Sequence, residues 1–268
     1  MSESVYAQVR VGRVERASRQ SMRKLSSGSR ISSAADAAAD LGISEKMRAH
    51  VKSAHAAQRN IQDGISMLNV VDGVLGEVTQ KVTRMRELAI QSASEVLANP
   101  ERQYISDEYR DLQADIDRVT KSAQFNGMDL FPGGNTTVSI QIGISESGPE
   151  NRLRVRLRPV DGNTLGLNLT RVDSATLAQQ AVKRIDGAID IVNGLRAEYG
   201  ANQNQLGSAL RNLENWTENM IDAESQIRDT DIAFEAANLT RQQVFRQVGI
   251  AMLAQTGTSK SAALSLIG

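Results

Sequence analysis

The sequence predicts a mainly α fold: a long antiparallel, coiled-coil-like helical rod with a small β-hairpin region, and terminal helices that form a separate segment. Three observations carry this. Apolar residues recur every seven positions over 44–98 and again over 175–226. Sustained seven-residue spacing makes a narrow stripe that seeks partner helices. Between these stretches the period drops to two, the mark of half-buried strands. Finally, LSSGSRISSAADAAADLGIS, residues 25–44, is crowded with Ala and Ser and poor in large apolar groups. Such a stretch suits a place where several backbones come very close.

In the first long helix the repeating row is Met47, Ala54, Ile61, Leu68, Leu75, Val82 and Ala89. A companion row, Val51 and Ile65 and then Val71, Val78 and Met85, shifts by one place near Gly73 and Gly76. In the ANPERQY stretch that follows, Asn99 suits an N-cap and Pro100 the first helical position. A second helix places Tyr109, Leu112, Ile116 and Val119 on one face. It stops near QFNGMDLFPGG, where Asn126-Gly127 and Pro132-Gly133-Gly134 are turn signals.

The middle then alternates. Val138, Ile140, Ile142 and Ile144 fall on one side of a strand, and Leu153, Val155 and Leu157 on one side of the next. SESGPE between them reads as the hairpin loop. Arg152, Arg154, Arg156 and Arg158 occupy the other side of the second strand, which reads as a solvated face.

The C-terminal third is helical again. Ile185, Val192, Tyr199, Leu206, Leu213, Met220 and Ile227 form an unbroken seven-residue row. Ala181, Ala188, Leu195, Ala209, Trp216 and Ala223 accompany it, with polar Asn202 the one break. At 1.5 Å per residue such a helix is roughly 75 Å long. It is expected to lie against the 44–98 helix, with the hairpin at one tip. This organises the chain as terminal segments 1–43 and 227–268, a rod of 44–131 and 173–226, and a surface region of 132–172. The terminal segments lack enough large apolar groups for a core of their own. They are expected to order fully only against other copies of the chain.

Composition narrows the function. The 268 residues carry 31 Lys+Arg and 31 Asp+Glu, so net charge is zero. A dedicated nucleic-acid binder would need a basic excess, whereas a neutral chain repels copies of itself weakly. Aromatics are only 3% of residues and cysteine is absent, which removes disulfide and thiol chemistry. No apolar run reaches membrane-spanning length, and the N-terminus has no signal-peptide core. His50 and His55 stand five apart, whereas a metal pair on one helix face needs three or four. No nucleophile triad or phosphate-cradling glycine loop can be assembled. The reading is therefore not an enzyme, with no cofactor and no metal. Four Asn-x-Ser/Thr triplets begin at Asn135, Asn168, Asn215 and Asn238, of which Asn135 lies in the expected exposed loop.

Several long stretches then carry a resemblance. They are RKLSSGSRISSAADAAADLGISEKMRA, NIQDGISMLNVVDG, RMRELAIQSAS and AQFNGMDLF near the start. Near the end they are GLRAEYGANQNQL and SQIRDTDIAFEAANLTRQQVFRQVGIAMLAQ. Over 21–131 and 194–268 the sequence resembles bacterial flagellin, the flagellar filament subunit, in a small form without large outer domains. The resemblance implies a homopolymer in which paired terminal helices form an inner tube. Ala34, Ala35, Ala38, Leu41, Ile232, Leu239, Val248, Leu253 and Leu266 would pack that tube. It implies an extracellular location in the bacterial flagellum, reached through the flagellum's own export apparatus without a cleaved signal. An export chaperone and junction and cap proteins are the implied partners, with no nucleic acid and no membrane. Arg84, Glu87, Leu88, Gln91 and Glu108 match the family surface read by an animal innate immune receptor. The alternatives are a hook–filament junction protein, or a surface polysaccharide-binding homologue using the Arg strand. One departure stands out. Arg10, Arg13, Arg16, Arg19 and Arg23 put a basic stripe where the family usually has a polar, Asn-containing start.

Overall fold

The computed structural model describes residues 3–145 and 148–267, with side chains near the ends described at 5, 6, 8–10, up to 255, and at 258. The helices are α1 (Glu3–Ser27), α2 (Ala38–Ser92), α3 (Asn99–Ser122), α4 (Ala175–Arg228) and α5 (Ile232–Ile267). The strands are β1 (Gln124–Phe125), β2 (Met128–Asp129), β3 (Thr136–Gln141) and β4 (Arg152–Leu157). Where the sequence suggested three segments, the chain forms two compact units, 53–216 and the pair 1–52 with 217–268.

The 53–216 unit holds the hydrophobic core, and the seven-residue rows build it. Ala54, Ile61, Leu68, Leu75, Val82 and Ala89 of α2 are fully buried, as are Ile185, Val192 and Leu206 of α4. Polar pairs flanking the seam fix an antiparallel register. Asn69 accepts from Gln203 at 3.0 Å, Asp72 meets Arg196 at 2.8 Å, and Arg86 meets Asp186 at 2.7 Å. Rising numbers on one helix meet falling numbers on the other. The helix runs unbroken through Gly73 and Gly76.

Tyr109 anchors α3. Its hydroxyl is 2.6 Å from Thr170 Oγ1, and Thr170 in turn donates to the Leu167 carbonyl at 2.5 Å. Burial pushes the Tyr109 hydroxyl up to about 12, so it stays a neutral donor. At the surface Lys81 meets Asp115, and Arg84 meets Glu108 at 2.8 Å.

Three ends differ from expectation. The first long helix begins at Ala38 rather than near 44. It stops at Ser92 rather than near 98. The cause is tertiary: the buried Arg102 guanidinium donates to the carbonyls of Ser92, Ser94 and Leu97 at 3.1–3.2 Å. Carbonyls that leave a helix end unpaired are thereby satisfied. The N-cap of α3 is Ala98, not Asn99, and its amide donates to the Glu101 carboxylate at 3.3 Å. A glutamate in the first turn supplies what the cap side chain does not.

The Asn126-Gly127 signal is a two-residue hairpin turn joining β1 and β2. Both residues have positive φ, 49° and 77°, as the tight turn matching strand twist requires. The predicted hairpin is β3 against β4, antiparallel, with Val138 opposite Val155 and Ile140 opposite Leu153. Ile140, Val155 and Leu157 are buried, while Arg152, Arg154, Arg156 and Arg158 face solvent. Tyr199 Oη of α4 donates to the Arg156 carbonyl at 3.2 Å, tying β4 to the core.

Candidate assembly surface

The second unit is built differently. In it α1 and α5 run antiparallel: Ser21 Oγ donates to Gln242 Oε1 at 3.4 Å, and Gly249 lies beside Val11. A Cβ at 249 would stand 2.7 Å from Val11 Cγ2, so glycine permits the close approach. Yet the buried residues of these two helices, among those described, are polar: Ser18, Ser21 and Glu235. Among the described residues, neither helix contributes a buried apolar side chain. Val11, Val14, Leu25, Leu239 and Leu253 are only half-buried.

Instead the two helices display apolar groups. Phe234, Val244, Phe245, Val248 and Met252 are exposed and recur at helical spacing along α5. Most of them lie to one side of Gln242 and Gly249, which face α1. Ile232 and Ile250 are exposed on another side of α5, and Val5, Tyr6, Val9 and Met22 are exposed on α1. Monomeric proteins rarely leave contiguous apolar surface of this kind uncovered.

Each terminal helix joins the rest of its unit at a bend, and the two bends are tied together. Gly28 takes φ +67°, a left-handed conformation that glycine adopts without strain. Across from it, Arg30 N–H donates to the Arg228 carbonyl at 2.6 Å and Thr230 N–H to the Gly28 carbonyl at 3.0 Å. The Arg30 guanidinium adds a bond to the Ile227 carbonyl at 2.6 Å. Asp36 closes the small-residue stretch by accepting from the amides and hydroxyls of Ser32 and Ser33 at 3.0–3.3 Å. These bonds, led by the Ser33 hydroxyl, hold its carboxyl below the usual range. Nearby, Glu45 of α2 meets Arg228 of α4 at 2.8 Å.

Two family models, the bacterial flagellin N-terminal and C-terminal helical regions, match residues 2–136 and 182–267. The chain belongs to the bacterial flagellin family. A flagellin of Halalkalibacterium halodurans is 40% identical over 92% of this chain and 90% of its own length. A flagellar filament 33 kDa core protein of Treponema phagedenis is 35% identical over 98% of this chain and 97% of that one. The crystal structure of Bacillus cereus flagellin superimposes with a TM-score of 0.50 at 28% identity, over 58% of this chain and 88% of that chain.

The residues matched to flagellin assembly fall in three settings. Ala34, Ala35 and Ala38 are exposed in and just after the bend, and Leu41 is half-buried in the first turns of α2. Ile232 and Val248 are exposed, whereas Leu239 and Leu253 are half-buried. Leu266 lies in α5, but its side chain falls outside the described residues. Of the residues matched to the receptor-read flagellin surface, Arg84, Glu87, Gln91 and Glu108 are exposed. Arg84 bridges Glu87 and Glu108 and is held more firmly protonated by them, Glu108 foremost. Leu88 is buried in the core, so its side chain is not part of that surface. Sequence reasoning missed Arg30 and Arg102. Each donates to backbone carbonyls, partners that no residue pattern announces.

Proposed function

We propose that this chain is a structural subunit that polymerises into a bacterial flagellar filament, outside the cell, and turns rotation into thrust. One observation carries it: among the described residues α1 and α5 bury no large apolar side chain of their own and expose several apolar groups. A pair of helices without a core is marginal in water. Other copies supply the missing core, so folding of the terminal pair is completed by assembly. Burial between subunits offsets the entropy of ordering. The family's role and the names of its relatives, flagellin and filament core protein, agree with this. The family is structural, not enzymatic.

Ala34, Ala35 and Ala38 let neighbouring subunits' backbones approach at the bend, and the terminal pair forms the inner tube. The chain reaches the filament through the flagellum's own export apparatus, handed on by an export chaperone and then by junction and cap proteins. Among the described residues no helix is long and apolar enough to cross a membrane. Arg84, Glu87, Gln91 and Glu108 present a receptor-readable surface on the monomer.

Electron microscopy of the purified chain, with and without short filament seeds, tests the proposal. Regular filaments are expected. Persistent monomers on seeds under several salt conditions would overturn it.

A further inference from the structure

The neutral net charge hides a partition. Helices α1 and α5 together hold nine Lys/Arg and three Asp/Glu, and the rest of the chain holds 22 and 28. The terminal pair is therefore basic by six charges, and the remainder acidic by six.

The basic charge is concentrated and unpaired. Arg13, Arg16, Arg19 and Arg23 are exposed along one side of α1, away from Val11, Ser18 and Ser21 that face α5. Among the described residues, no ion pair involves any side chain of α1 or α5. Arg16 only turns back to the Gly12 carbonyl at 3.3 Å. Arg241 and Arg246 add exposed positive charge on α5. Elsewhere eight arginines, Arg48, Arg84, Arg86, Arg110, Arg118, Arg158, Arg196 and Arg228, each meet a carboxylate. In the same unit Glu218 and Asp222, one turn apart on α4, are exposed and form no ion pair.

Like charges three and four apart destabilise the helix that bears them. A row of four such charges, on a helix pair whose described side chains form no ion pair, is accounted for by an acidic partner outside the chain. The partner of matching charge and fixed one-to-one stoichiometry is another copy, whose remainder carries the equal acidic excess. We infer that Arg13, Arg16, Arg19 and Arg23 form an inter-subunit docking face for the acidic surface of a second copy, with Glu218 and Asp222 among its acids. Assembly is then tuned by ionic strength, since exposed charges are screened within about 8 Å at physiological salt. This rests on the filament reading and names the chemistry of one of its contacts.

The test measures critical concentration by sedimentation, with electron microscopy as the check on filament form. Unaltered chain, Arg16→Glu/Arg19→Glu, Arg16→Lys/Arg19→Lys, Glu218→Arg/Asp222→Arg, and the two charge reversals combined are compared at low and high NaCl. The glutamate variant is expected to raise the critical concentration at least about tenfold at low salt, since each lost exposed pair and each new repulsion adds its share. The lysine variant should assemble like the unaltered chain, and the combined reversal should recover much of the loss. High salt should raise the critical concentration of the unaltered chain. Circular dichroism must show the same helix content and melting for all, as exposed positions predict. Filaments of the unaltered chain with a glutamate variant assembling equally well would overturn the docking face alone. A glutamate variant that fails without recovery in the combined reversal would overturn the assignment of Glu218 and Asp222. Failure of the unaltered chain to assemble would overturn the filament reading and this one with it.

Discussion

Removing two apolar groups from the uncovered side of α5 should weaken the polymer and leave the monomer intact. Phe245 and Val248 are 57% and 54% exposed, one turn apart on α5. Fully burying such a side chain is worth about 1.5–3 kcal/mol. Roughly half of that surface is still available to be buried on assembly, so each contributes about 1 kcal/mol per subunit. Phe245→Ala/Val248→Ala should therefore cost about 2 kcal/mol, a rise of roughly thirtyfold in critical concentration. The monomer should not notice. Both side chains are exposed, and alanine is a better helix former than either. Critical concentration by sedimentation and melting of the 53–216 core by circular dichroism are read on the same preparations. An unchanged critical concentration, or a drop in the core's melting temperature, would refute the reasoning that these groups are buried only between copies.

Other outcomes follow from single residues. Gly28→Ala forces a side chain into a positive-φ bend; it should cost about 1 kcal/mol and disturb filament yield before it disturbs the core, checked by microscopy beside a denaturation curve. Arg102→Ala strips three backbone carbonyls of a charged donor and should destabilise the 53–216 unit by about 2–4 kcal/mol, measured by urea unfolding. Asp36 has a folded pKa below its ordinary value of 3.8, so its contribution is fully present above that value and lost as pH falls through the folded one. Amide exchange at Ser32 and Ser33 should speed up relative to an Asp36→Asn variant's flat response in that acidic window. Monomer should activate a cell-based innate-receptor reporter and filament should not; replacing Arg84 and Glu108 together should silence the monomer, whereas a folded monomer inactive from the outset would remove that surface from consideration.

Much of the fold was legible because burial demands periodicity. A stripe that must face one partner helix repeats every seven residues, and the rows from Ala54 to Ala89 and from Ile185 to Leu213 are buried at nearly every step. Alternation exposed the β3–β4 pair for the same reason, since one face is covered and the arginine face is not. The helix ends were less legible. Ser92 ends α2 because Arg102, ten residues on, collects its carbonyls, and a tertiary cap leaves no local signature. The assembly surface was legible as a deficit of core-forming residues in the terminal segments. Its orientation was not: α5 has apolar groups on both the side facing α1 and the side facing away, so no single stripe marks which is which. The glycine at 249 fixes it, but only once Val11 is seen beside it.

The central claim is that α1 and α5 acquire their core from other copies. Amide hydrogen exchange, residue by residue on monomer and on filament, tests it most directly. Fast exchange is expected throughout α1 and α5 in the monomer beside slow exchange in α2 and α4 between residues 53 and 216, with strong protection of α1 and α5 on polymerisation. Terminal helices already protected in the monomer to the level of that core, and unchanged in the filament, would contradict it.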